Sequence, residues 1–121
     1  MHIEAFHEYC MQKAGVGESF PFGPETLVFK VGGKIFALTG LDGDSFRVNL
    51  KCDPARAVEL RSAHPEVTPG YHMNKTHWNT VCFEGDMPEG LLRELIDHSY
   101  ELVVRSLPKA LRAQLSRFVG D

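Results

Sequence analysis

Cysteine is scarce in this 121-residue chain: there are three, Cys10, Cys52 and Cys82, odd in number and far apart. That spacing excludes a disulfide framework and any CxxC redox or zinc motif. Each falls at an apolar phase of its segment, where a free thiol acts as a small hydrophobe. Long apolar runs are also missing, and nothing approaches the roughly 20 residues that cross a bilayer, so no membrane partner is expected. The first ten residues carry His2, Glu4, His7 and Glu8 where a secretory signal needs a basic flank and an apolar stretch, and the expected location is the cytoplasm. An excess of positive charge is absent too. Thirteen Lys and Arg against 16 Asp and Glu leave a net charge of -3, whereas a generic nucleic-acid-binding domain is basic. Catalytic signatures are missing: there is no phosphate loop, GxGxxG, HExxH or GxSxG. Neither an enzyme nor a bound cofactor is expected.

What is present, 43% hydrophobic and 24% charged residues, describes one globular domain over residues 1–121 with a single core, expected to act as a monomer. Ile3, Phe6, His7, Cys10, Met11 and Ala14 share a helical face, closed by Gly15 and Gly17. The segment from Glu18 to Glu25, with two prolines and a glycine around Phe20 and Phe22, reads as a connecting loop pinned by aromatics. Thr26 to Val31 and Lys34 to Thr39 flank Gly32-Gly33 and form a hairpin with a two-residue turn, setting Leu27 opposite Leu38 and Phe29 opposite Phe36. In Ser45 to Cys52, Phe46, Val48, Leu50 and Cys52 alternate with Arg47, Asn49 and Lys51, giving one core face and one basic face.

Asp53-Pro54 starts a helix running through Ala57, Val58 and Leu60 and ending before Pro65. An irregular hairpin then leads into a strand at Trp78 to Glu84, with Asn79, Val81 and Phe83 on one face and Trp78, Thr80 and Cys82 on the other. Asp86-Met87-Pro88-Glu89 reads as a capping-box start for a long helix with Leu91, Leu92, Leu95, Ile96, Ser99, Leu102 and Val103 along one face. Pro108 interrupts it, and Leu107, Leu111, Leu115 and Phe118 mark a short terminal helix. The element order is that of an α+β domain with an antiparallel sheet, because the connections are too short for parallel crossovers.

The densest chemistry lies in His72 to Asn79, which gathers Lys75, two imidazoles, two amides, a hydroxyl and the single Trp. Lys75 with amide donors can hold a phosphate, and Trp78 either stacks on a base or plugs the core. His72 and His77 are five apart, so only a loop brings them together; with no third ligand nearby, no metal site is expected. Cys82 with His77 lacks the surroundings of a nucleophile pair.

The stretches KVGGKIFAL (Lys30 to Leu38), NLKCDP (Asn49 to Pro54), PGYHMNKTHWNTV (Pro69 to Val81), the Ser99-Tyr100 pair and SLPKALR (Ser106 to Arg112) resemble the MmcQ/YjbR family of small bacterial proteins. The resemblance covers nearly the whole chain. It implies a CyaY-like α+β fold, with helices packed on one side of an antiparallel sheet, and a DNA-binding role in which hairpins act as wings. The CyaY-like fold also occurs in frataxin-type iron proteins, which depend on a dense acidic ridge; Glu4, Glu8 and Glu18 are too sparse to carry that over.

Charge is unevenly spread. Residues 1–25 have a net charge of -3, residues 26–83 of +2 and residues 84–121 of -2. Between Leu102 and Phe118 stand Arg105, Lys109, Arg112 and Arg117 with no acid. A local basic surface on an acidic protein is therefore available, giving salt-sensitive contacts to phosphates without sequence specificity. The leading expectation is a non-enzymatic module that binds DNA weakly through Lys75, His77, Trp78 and Asn79 at the hairpin and Arg47 and Lys51 on the sheet. The rival is a protein-interaction or small-ligand module in which the Phe20-Pro21-Phe22-Gly23 loop and the Tyr71 to Trp78 segment form a pocket or docking edge.

Overall fold

The structure, a computed structural model, describes residues 1–119, with side chains for residues 1–115. The readings of Arg117 and Phe118 lie outside the described side chains. In chain order the elements are α1 (Ile3–Met11), β1 (Val16–Ser19), β2 (Thr26–Val31), β3 (Lys34–Gly40), β4 (Arg47–Lys51), α2 (Pro54–Ala63), β5 (Val67–Pro69), β6 (Trp78–Cys82), α3 (Glu89–Arg105) and α4 (Lys109–Val119). The strands form one antiparallel sheet in the order β1-β2-β3-β4-β6-β5. This is the expected α+β class with an antiparallel sheet.

Three local expectations change. The segment after α1 holds a strand before the prolines begin: Val16 to Ser19 pair with Val31 to Val28. Its own pattern is weak, and it is the unpaired backbone groups along β2 that draw it into the ladder. The β2–β3 turn is as expected, with Gly32 and Gly33 both at positive φ, the backbone that a two-residue turn needs. Beyond it a bulge inserts Phe36, so Leu27 faces Thr39 and Phe29 faces Ala37, instead of Leu38 and Phe36. A bulge sets two residues against one, and here both Phe36 and Ala37 join the core. Finally, α3 has no side-chain cap; Pro88 is its N-cap residue, and the Asp86 amide instead donates to the Glu66 carboxylate at 2.9 Å. At α2 the Asp53 carboxylate does accept from the Arg56 amide, at 3.2 Å, while Val58 faces solvent and Ala57 and Leu60 are buried.

One core lies between the sheet and the helices. Phe6 and Cys10 of α1, Ala57 and Leu60 of α2, and Leu92, Leu95, Ile96 and Val103 of α3 meet Leu27, Phe29, Val48, Leu50, Val81 and Phe83. Phe6 sits edge-to-face against both Phe29 and Phe83, with ring centroids 5.4 and 5.5 Å apart, the arrangement that the ring quadrupoles favour. Strand alternation sends the intervening residues to the opposite face.

Candidate functional site

That opposite face is where the sheet's charge lies. Along β4, Arg47, Asn49 and Lys51 alternate with the buried Val48 and Leu50, and across from them on β6 stand Cys82, Thr80 and Trp78. Lys30 alternates with the core residues Phe29 and Val31 and so projects to the same side. The six strands carry one acid, Glu18, and it is hydrogen-bonded to His7 of α1. An acidic protein thus presents a sheet face whose charged side chains, Lys30, Arg47 and Lys51, are all cations.

The loop between β5 and β6 forms one end of this face and is held by its own hydrogen bonds. The Gly70 amide donates to the Trp78 carbonyl at 2.9 Å. A side chain at position 70 would come within 2.8 Å of the Trp78 Cβ, so the close approach requires glycine. The Lys75 ammonium donates to the Gly70 carbonyl at 3.0 Å, and the Thr76 amide donates to the Asn74 side chain at 2.9 Å. Strands β4 and β6 hold Tyr71 from below: its amide donates to Thr80 Oγ1 at 2.9 Å and its carbonyl accepts from Asn49 Nδ2 at 3.4 Å, while the Thr80 hydroxyl donates to Asn49 Oδ1. The next residue, His72, has a left-handed backbone, φ 58°, which is uncommon in residues with a Cβ.

The residues singled out from the sequence divide. Arg47 and Lys51 share the open face, and Trp78 stands directly across from Lys51. His77 is exposed beside them, its carbonyl accepting from the Cys52 amide at 2.8 Å. Lys75 is exposed, although its ammonium is occupied by the loop. Asn79 belongs elsewhere: it is 2% exposed, accepts from Arg61 Nη1 at 2.8 Å and donates to the Ala57 carbonyl at 3.3 Å. Its place in phase with Val81 and Phe83 was the signal that it points into the helix layer. Asn49, Thr80 and Leu38 were not singled out. Each lies mid-strand, and only sheet pairing brings the three together beneath Tyr71.

Between the β1–β2 loop and the β5–β6 loop the open face sinks into a groove of about 630 Å³. Leu38 and Asn49 form its floor, Phe22 lies on one lip, Tyr71 and Met73 lie on the other, and Arg47 lines the same groove. Among the described residues no three His, Cys, Asp or Glu side chains are grouped to hold a metal ion. Cys10 and Cys52 are buried, and burial pushes the Cys10 thiol up to about 12 and the Cys52 thiol upward. Cys82 is the half-buried one, because it falls on the open face. No described helix is long and apolar enough to cross a membrane.

The YjbR family model matches residues 11–102. The chain belongs to the YjbR family. YjbR relatives include the uncharacterised protein YbdF of Escherichia coli O157:H7, 50% identical over 91 residues that make up 74% of each chain. The uncharacterised protein YjbR of Escherichia coli K12 is 35% identical over 95% of this chain and 98% of its own. A crystal structure of the Deinococcus radiodurans protein DR2400, a DUF419 domain, superposes with a TM-score of 0.87 at 44% identity, over 93% of this chain and 86% of that one. A Pseudomonas syringae protein follows at a TM-score of 0.73 and 30% identity, over 84% of this chain and 98% of its own. The matched span of the YjbR family runs from the end of α1 into α3 and includes both lips of the groove.

Proposed function

We propose that the chain is a non-enzymatic, monomeric, cytoplasmic module that binds nucleic acid, DNA in the first instance, across the open face of its sheet. The observation that supports this reading is the charge segregation: on a protein of net charge -3, the charged side chains that the strands place on that face are Lys30, Arg47 and Lys51. Trp78 across from Lys51 and the exposed Phe22 and Tyr71 add flat apolar surface. Cations interleaved with aromatics on an open sheet suit an unpaired strand, whose bases can splay and stack while phosphates meet the cations. Lys75 and His77 form the rim at the Trp78 end; Asn79, buried beneath the sheet, takes no part. The pairing of so few cations with an acidic remainder implies weak, sequence-tolerant binding.

Titration of fluorescent single-stranded and duplex oligonucleotides at several salt concentrations tests this. Three phosphate contacts on a single strand give a slope of log affinity against log salt of about -2. The Arg47→Ala, Lys51→Ala double variant should keep its fold, since both side chains are on the open face, and lose most of the affinity and most of the slope. Absence of binding at low salt, or a double variant that binds like the parent, overturns the proposal.

A further inference from the structure

The groove at the Tyr71 end of the open face has the size and lining of a site for one small planar unit. Its volume, about 630 Å³, lies within the roughly 300 to 1,000 Å³ of small-molecule sites. Tyr71 is 69% exposed and Phe22 65% exposed, on opposite lips, so two flat apolar surfaces stand uncovered over an apolar floor at Leu38. The Tyr71 lip is fixed: Thr80 and Asn49 hold its amide and carbonyl from the strands below. The left-handed His72 follows, with its ring 4.0 Å from that of Tyr71. A left-handed backbone in a non-glycine residue persists only where its surroundings enforce it, and such residues concentrate at binding sites.

The groove also carries an uncommitted guanidinium. The Arg47 guanidinium makes no hydrogen bond or ion pair among the described residues. Asp42 also lines the groove, its carboxylate close enough to that of Glu25 to raise the Glu25 pKa, which leaves Arg47 as the group able to meet an anion. A fork of free N–H donors beside a flat apolar slot matches a planar ring linked to a phosphate.

We infer that this groove holds a single unpaired nucleotide, its base against Tyr71 and its phosphate on Arg47. This deepens the nucleic-acid reading and rests on it: a strand crossing the face would leave one nucleotide seated here, which makes single strands preferred over duplexes. The test uses the full chain titrated with adenosine monophosphate, adenosine, inorganic phosphate and a short single-stranded oligonucleotide, followed by heteronuclear NMR shifts. The expected result is saturable binding of adenosine monophosphate with shifts centred on Tyr71, His72 and Arg47, and affinity at least about tenfold weaker for adenosine or phosphate alone. Tyr71→Ala and Arg47→Ala should each weaken adenosine monophosphate by about tenfold or more, and Tyr71→Phe, which keeps the ring, should retain it. If the oligonucleotide binds but adenosine monophosphate does not, or if Tyr71→Ala leaves it unchanged, the groove inference falls and the nucleic-acid reading survives. If adenosine monophosphate binds as described and no oligonucleotide binds at low salt, the nucleic-acid reading fails, and with it the claim that the seated nucleotide belongs to a strand.

Discussion

Removing one hydroxyl from the middle of α3 should loosen the sheet. Ser99 is fully buried; its Oγ donates to the Phe36 carbonyl at 2.5 Å and accepts from the Lys51 amide at 2.8 Å. Regular pairing of β3 with β4 runs from Thr39 opposite Val48 to Ala37 opposite Leu50 and stops there. The next partners would be Phe36 and Lys51, but Phe36 is the extra residue of the bulge, and the serine hydroxyl stands between the two backbone groups. Ser99→Ala leaves a buried carbonyl and a part-buried amide without this partner. Each such group costs about 1 to 3 kcal/mol. Because the two strands can close part of the gap towards each other, the expected loss is about 2 to 4 kcal/mol, well short of the sum of the two maxima. For a domain of this size that corresponds to a fall in Tm of roughly 10 °C. Chemical denaturation of Ser99→Ala beside the exposed Ser62→Ala, for which a change within about 0.5 kcal/mol is expected, measures it. A loss below about 1 kcal/mol for Ser99→Ala would show that the strands pair directly and that the hydroxyl is not what completes the ladder.

Asn79→Ala should destabilise the protein by about 1 to 3 kcal/mol, because the Arg61 guanidinium and the Ala57 carbonyl lose a buried partner, and should leave oligonucleotide affinity at native temperature unchanged; an affinity loss without a stability loss would return Asn79 to the contact surface. His98 should make stability fall in mild acid. Its Nε2 accepts from the Asp53 amide at 3.1 Å, so the ring is held neutral, and burial together with Arg56 lowers its pKa from 6.5. The unfolded chain therefore takes up this proton first as pH falls, and the contribution is complete above about pH 6.5 and lost below it. Urea midpoints measured from about pH 8 to about pH 5 should decline more steeply for the parent than for His98→Gln, and parallel curves would refute the assignment.

Much of the architecture was legible because burial leaves a period. Phe6 and Cys10, or Leu92, Leu95, Ile96 and Ser99, repeat at helical spacing, and Val48 and Leu50 alternate with Arg47, Asn49 and Lys51 at strand spacing. The Gly32-Gly33 turn and the Asp53-Pro54 start are local chemistry and were read correctly. The basic outer face of β4 was likewise visible in the alternation, and so was the inward phase of Asn79, although its polar side chain drew it into the proposed contacts. Strand β1 was not legible, since Val-Gly-Glu-Ser has little pattern of its own and pairs because β2 offers it an edge.

By itself the sequence determined the α+β class, the two-faced character of β4 and the family, since each depends on the order and spacing of residues along the chain. Only the tertiary structure decided which polar residues are spent inside: Asn79 on Arg61, and Ser99 between Phe36 and Lys51. It also decided that Phe22, Leu38, Arg47 and Tyr71, from four separate segments, meet around one groove. Such meetings depend on strand order and on a single bulge, which shift partners by one residue and so exchange faces, and no periodicity along the chain records them.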